Sequence, residues 1–198
     1  AYGNERGVRD GVRTCGVPRE ELFVVSKVAA EHKTYESAAA SIDETLAKMG
    51  LDYLDMMIIH SPQPWVEVNQ SENRYVEGNR AAWRALEDAY KAGKLKAIGI
   101  SNFQGEKLKK LLEECEIKPH VIQMEAHPYY RDEETISALA PCGCRVMAWY
   151  PLGHGDHALL EEPIVKELAE KYEKSTAQVI LRLSLIHISE PTRLDVIS

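Results

Sequence analysis

The chain has 198 residues, 44% of them hydrophobic and 28% charged, with a formal net charge of −7. This is an ordinary globular composition with length for one sizeable core, and the acidic balance without a basic stripe argues against nucleic acid as a partner. No apolar run approaches the ~20 residues that would span a bilayer, no signal-peptide pattern opens the chain, and Cys15, Cys115, Cys142 and Cys144 show neither a secreted-type framework nor zinc-like spacing, so free thiols in a cytoplasmic protein are expected.

Residues 4–15 have helical spacing, with Val8, Val12 and Cys15 on one side and Gly16 as a stop. Residues 22–28, Leu-Phe-Val-Val-Ser-Lys-Val, read as a buried strand with Lys27 near its carboxyl end. Ala38, Ile42, Leu46 and Met49 recur at helical intervals across residues 34–49, and Gly50 supplies the cap. Residues 53–59 are apolar at nearly every position, broken only by Asp55, which suits a strand buried on both faces. That strand runs into His60, and Ser61-Pro62 turns the chain away.

Residues 61–78 are rich in Pro, Asn, Ser and Gly and predict a long polar loop carrying Trp65 and Tyr75. A helix over residues 79–92 closes on Gly93, and residues 95–100 form a third strand leading into Ser101-Asn102-Phe103. An amphipathic helix over 106–115 follows, then a fourth strand over 121–125 with Gln123 and Glu125, before His127-Pro128. A helix over 133–139 leads to a fifth strand over 145–149, ending in Trp149 and followed by Tyr150-Pro151-Leu152-Gly153. Residues 163–172 are helical, and Ser175 with Gln178 makes a capping box for one more helix. Gly-His-Gly-Asp-His at 153–157 reads as a solvated loop rather than a metal site.

Helices alternating with short apolar strands imply a parallel sheet with right-handed crossovers. No Gly-x-Gly-x-x-Gly follows a strand and there is no Walker loop. Periodicity alone leaves a closed barrel and an open sheet both possible. Polar or aromatic residues at all five strand ends (Lys27, His60, Ser101 with Asn102, Gln123 with Glu125, Trp149) favour the barrel, because an open sheet gathers its site at one switch point.

Taken together, Tyr2-Gly3-Asn4-Glu5, Ser26-Lys27, Ile59-His60-Ser61-Pro62, Gly99-Ile100-Ser101-Asn102-Phe103, Gln123-Met124-Glu125-Ala126-His127-Pro128 and Trp149-Tyr150-Pro151-Leu152-Gly153 resemble the aldo-keto reductases in order and spacing. Trp149, where many relatives have Tyr, is similar to the bacterial branch containing 2,5-diketogluconate and methylglyoxal reductases. The resemblance implies an α/β fold, a (β/α)8 TIM barrel of which about five of eight strands are present. It also implies a cytoplasmic, monomeric parent enzyme that reduces aldehydes and ketones with NADPH or NADH, and no metal.

The resemblance makes Tyr2 the proton donor. A phenol with a pKa near ~10 is a poor acid or base at neutral pH, and the Lys27 ammonium would lower it. His60 would hydrogen-bond the substrate carbonyl and orient it, with Trp65 as a wall of the substrate pocket. Ser101, Asn102 and Gln123 would hold the nicotinamide carboxamide, Trp149 would stack on the ring, and the backbone at Leu152 and Gly153 would lie along the pyrophosphate. Each also has a plain structural role open to it: helix start for Tyr2, snorkelling for Lys27, helix capping for Ser101 and Asn102, core packing for Trp149. Glu125 and His127 are read as structural. A reductase-like regulatory or scaffold protein that binds NADP(H) with little turnover is the alternative function.

Two departures from the family pattern stand out. The family's Asp, five residues before the Tyr, falls before Ala1, and the segment that grips the 2′-phosphate of NADPH falls beyond Arg182. Residues 183–198 (Leu183 to Ser198) instead resemble a translated sequencing adapter. The chain is therefore expected to be residues 1–182 of a barrel plus a non-native tail. Five strands of a ~250-residue barrel leave unpaired edges, so the chain by itself is expected to be insoluble or molten and inactive. Genomic DNA encoding residues 183–198 in a longer reading frame would refute the adapter reading.

Overall fold

Local sequence sets the ends of the elements before packing does. Thr34 Oγ1 accepts from the Ser37 N–H at 3.2 Å and the Ser37 hydroxyl receives the Thr34 N–H at 3.3 Å, a capping box that starts α2 (Tyr35–Met49). Gly50, in the left-handed region at φ 62°, ends it. Between these caps, Ala38, Ile42, Leu46 and Met49 form the buried face. The structure, a computed structural model, describes residues 3–68, 70–153 and 157–189, with side chains given for all of these except 157 and 185–189.

The chain forms two compact units, Ala1–Val121 and Ile122–Ser198. In the first, α1 (Glu5–Thr14) precedes β1 (Val25–Val28), α2, β2 (Met56–Ile59), α3 (Val76–Lys91), β3 (Ile98–Ser101) and α4 (Gly105–Glu114). β2 pairs in parallel with β1, Val25 facing Met56 and Val28 facing Ile59, and with β3, Met57 facing Ile98 and Ile59 facing Ile100. β4 (Val121–Glu125) starts in this unit, where the His120 N–H donates to the Ile98 carbonyl at 2.9 Å. Sheet order equals chain order, β1-β2-β3-β4-β5. With a helix between successive strands, this is the winding of a (β/α)8 barrel, five of whose eight strands are present.

β2 and β3 are buried throughout, as their apolar runs predict. β1 differs from the expected buried strand: it is four residues long, Val25 is 38% exposed and Phe23, just before it, 65% exposed. β1 ends the sheet order, so one side lacks the cover of a neighbouring strand among the described residues. The apolar side expected for α1 is also only half-buried at Val8 and Val12, and Cys15 is exposed. α3 begins at Val76, three residues earlier than expected, because Asn73 Oδ1 accepts the Tyr75 N–H at 2.9 Å and Tyr75 turns through φ 51°.

At the amino end of β2, Asp55 is buried and organises a charged cluster. Arg19 Nη1 lies 2.7 Å and Lys96 Nζ 3.4 Å from its carboxylate, and the Val24 N–H donates to it at 2.9 Å. The Tyr53 ring sits between the same two cations, 4.2 Å from the Arg19 guanidinium and 3.9 Å from Lys96 Nζ.

The second unit contains the rest of β4, α5 (Glu133–Leu139), β5 (Arg145–Trp149), α6 (His157–Leu160), α7 (Pro163–Tyr172) and α8 (Thr176–Ser189). Its core gathers Leu159, Val165, Ala169, Val179 and Ile180. Ser175 and Gln178 form the expected capping box, at 2.9 and 3.2 Å. The expected loop at 153–157 ends in a short helix at His157, which residues Ala158–Leu160 extend into the core; His154 lies outside the described residues. No described helix is long and apolar enough to cross a membrane.

Candidate active site

Two parallel buried strands, β2 and β3, end side by side, and their last backbone groups are fixed from the flanks. The His60 N–H donates to the Val28 carbonyl of β1 at 3.0 Å. The His60 carbonyl accepts from Asn102 Nδ2 at 3.2 Å, and the same amide lies 3.1 Å from the Ser101 hydroxyl. Asn102 can make this reach because its backbone turns into the left-handed region at φ 63°, which Asn tolerates better than most residues. Lys27, His60, Ser101 and Asn102 are thus brought to one edge of three adjoining strands.

The His60 side chain is half-buried, with Trp65 against it. The two rings meet edge-on, centroids 4.9 Å apart and planes at 80°. Pro64, whose φ of −52° and ψ of 141° suit an entry to a tight turn, precedes the single 3₁₀ turn Trp65–Glu67 that carries the tryptophan. Burial pushes the His60 imidazolium down to about 4, and the Lys27 ammonium pushes in the same direction, while Glu31 opposes both. His60 is therefore a neutral imidazole at physiological pH, able to donate one N–H without carrying charge.

The loop after His60 is tied down at Ser61, Pro62 and Gln63. Lys33 Nζ donates to the Ser61 carbonyl at 2.8 Å and to Asn79 Oδ1 at 2.9 Å, and Asn79 Nδ2 donates to the Pro62 carbonyl at 3.0 Å. Gln63 receives Lys107 Nζ at 2.5 Å and donates to the Asn73 carbonyl at 2.7 Å. None of Lys33, Gln63, Asn79 and Lys107 stands out in the sequence. Their one faint signal is Gly78, where a Cβ would lie 2.8 Å from the Lys33 carbonyl oxygen, so the glycine lets the first turn of α3 close on that segment.

The remaining expected site residues lie in the second unit or outside the described chain. Gln123 donates to the Met147 sulfur at 3.2 Å, and Trp149 meets Tyr150 edge-on at 4.8 Å. Leu152 packs on the core of that unit, and the Gly153 N–H, at φ 57°, closes a turn on the Tyr150 carbonyl at 2.9 Å. Glu125 and His127 bond each other at 2.9 Å. Tyr2 lies outside the described residues. Among the described residues, no three His, Cys, Asp or Glu side chains gather as a metal site would require.

A parallel (β/α) sheet with a neutral histidine, a lysine and amide-bearing residues at its carboxyl edge has the build of a barrel enzyme. The chain belongs to the aldo/keto reductase family, whose model matches residues 1–187. The match ends inside the segment 183–198 that resembles adapter sequence. The chain is 43% identical over 190 residues to "Uncharacterized oxidoreductase YtbE" of Bacillus subtilis (strain 168), covering 94% of this chain and 63% of that protein. It is also 43% identical, over 186 residues, to the "Glyoxal reductase" of the same organism, covering 94% and 62%. The crystal structure of an aldo/keto reductase from Brucella melitensis superposes with a TM-score of 0.82 at 34% identity, over 94% of this chain and 66% of that one. The chain thus spans 62–63% of the length of these curated relatives.

Proposed function

We propose that the protein of whole family length carrying these residues reduces small aldehydes and ketones, α-dicarbonyls such as glyoxal among them, with NADPH or NADH. The observation that carries the reading is the His60 ring at the carboxyl end of β2, edge-on to Trp65 at 4.9 Å and kept neutral by burial and by the Lys27 charge. Similarity to a protein named glyoxal reductase supports the substrate class.

Carbonyl reduction adds a hydride to carbon and a proton to oxygen, and the bound dihydronicotinamide supplies the hydride. The His60 N–H is suited to the carbonyl oxygen: it orients the carbonyl and stabilises charge building on that oxygen. An imidazole that stays neutral down to about pH 4 is not the proton source at pH 7. Family resemblance assigns that proton to the Tyr2 phenol, which the Lys27 ammonium would make more acidic. The Trp65 ring, edge-on to His60 at 4.9 Å, would form one wall beside the carbonyl.

The donor set fits a nicotinamide carboxamide. Ser101 and Asn102 place a hydroxyl and an amide together at the end of β3, the group types that would meet a carboxamide, although the Asn102 nitrogen is already bonded to the His60 carbonyl and the Ser101 hydroxyl. Gln123, Trp149, Leu152 and Gly153 are assigned to the cofactor on their motifs. A cytoplasmic location accompanies this reading.

The test is NADPH oxidation with glyoxal by the full-length protein and its Lys27→Met variant. One NADPH should be consumed per carbonyl reduced. Lys27→Met should lower turnover by about 10²–10³ at neutral pH, because the unassisted phenol, with a pKa near ~10, is a weaker proton donor. Undiminished turnover in Lys27→Met would count against the assignment.

A further inference from the structure

Lys33 is a puzzle if it only fills space. Its ammonium is largely buried, and burial pushes its pKa down to about 8 although Glu31 opposes the shift. It donates to the Ser61 carbonyl at 2.8 Å and to Asn79 Oδ1 at 2.9 Å, both neutral acceptors. Burying a cation on neutral acceptors is costly, and apolar packing would have stabilised the fold more cheaply.

The bonds it makes are all aimed at one place. From His60 to Gln63, each residue is held by another part of the chain. β1 and Asn102 hold the two backbone groups of His60, Lys33 holds the Ser61 carbonyl, and Asn79 holds the Pro62 carbonyl. Lys107 of α4 donates to the buried Gln63 side chain, and the Gln63 backbone N–H donates to the Ser61 hydroxyl at 3.3 Å. Two residues later the chain delivers Trp65 to the His60 ring. Gly78 lets α3 approach Lys33 so closely that Asn79, the next residue, reaches both the ammonium and the loop.

We propose that Lys33 and Asn79 are positioning residues for the carbonyl pocket, bracing Ser61 and Pro62 so that Trp65 stands in register with His60. This rests on the reading of His60 and Trp65 as that pocket. The brace acts on substrate through Trp65 and leaves the cofactor alone, so it sets KM for the carbonyl rather than affinity for NADPH.

A double-variant cycle in the full-length protein tests this: Trp65→Ala, Lys33→Met and the pair, with KM for glyoxal measured by NADPH oxidation and NADPH binding by nicotinamide fluorescence. Each single change should raise KM roughly tenfold, and the pair should raise it no further than the larger single change, because both remove the same contact. NADPH affinity should stay within about twofold in all three, as expected for a site the brace does not touch. Asn79→Ala should reproduce Lys33→Met, and it carries the cycle if Lys33→Met does not fold. A pair whose KM is the product of the two singles, or a Lys33→Met protein that loses NADPH affinity equally, would overturn the brace while leaving the pocket standing. An unchanged KM in Trp65→Ala alone would overturn the pocket reading and the brace with it.

Discussion

The Trp65 ring stands edge-on to the His60 ring at 4.9 Å between centroids, so the two side chains form one unit although they lie on different elements. An edge-to-face pair contributes about 0.5–1.5 kcal/mol beyond its buried area. Trp65→Phe keeps a ring at that place and should hold KM for a small aldehyde within about threefold of the parent value. Steady-state kinetics with glyoxal check this; a Phe variant as impaired as Trp65→Ala would mean that the indole, not the ring contact, matters.

His60 has a folded pKa below that of a free imidazole, about 4 against 6.5. The sign follows from proton counting: between pH 6.5 and 4 the unfolded state binds the extra proton, so the stability His60 confers is complete above 6.5 and lost as pH falls toward 4. The pH profile of kcat/KM should show no histidine limb between pH 6 and 7. Urea midpoints of the parent and His60→Gln should converge as the pH is lowered through that window. A histidine C2 proton titrating near 6.5 and assigned to His60 would contradict the account.

Asp55 behaves in the same direction for a different reason. Burial raises its pKa, but the Val24 N–H and the Arg19 and Lys96 cations outweigh burial and hold the carboxyl below its usual value. Its contribution is present above about pH 4 and lost below it. Asp55→Ala leaves Arg19 and Lys96 facing each other and the Val24 N–H unmet, and should cost about 3–5 kcal/mol in urea unfolding. Asp55→Asn, which keeps an acceptor, should cost less; equal losses would show that the carboxylate charge dominates.

Gly99 lies in the buried β3, and a Cβ there would come 2.7 Å from the Val121 carbonyl oxygen and 3.3 Å from Ile58 Cγ1. The obstacle is the backbone of β4, which cannot rotate away. Gly99→Ala should therefore destabilise by about 1–3 kcal/mol, the range for overpacked cores. Thermal unfolding measures it, and a Tm within a degree of the parent would mean the strands part easily.

What was legible in the sequence were features with short-range causes. β4, α5, β5 and α7 fall at the expected residues, because each is an apolar run or helical period bounded by its own punctuation. The apolar run at residues 22–28 predicts a more buried β1 than the structure has, since an apolar pattern records which face seeks cover and not whether cover is there. α3 begins early because one side-chain bond, Asn73 to the Tyr75 N–H, overrides the loop composition around it. His60, Lys27, Ser101 and Asn102 were readable as strand-end residues. The brace was not: Lys33 and Asn79 are 46 positions apart, and nothing local marks either as a partner.

If His60 orients a carbonyl beside a nicotinamide, removing its N–H must cost turnover and not cofactor binding. His60→Phe keeps a ring beside Trp65 and removes the donor, and kcat/KM for glyoxal with NADPH is measured in it and in the full-length parent, with NADPH affinity alongside. Loss of one such donor should lower kcat/KM by about 10²–10³ while NADPH still binds as before. A His60→Phe enzyme that turns over within a few-fold of the parent would contradict the assignment.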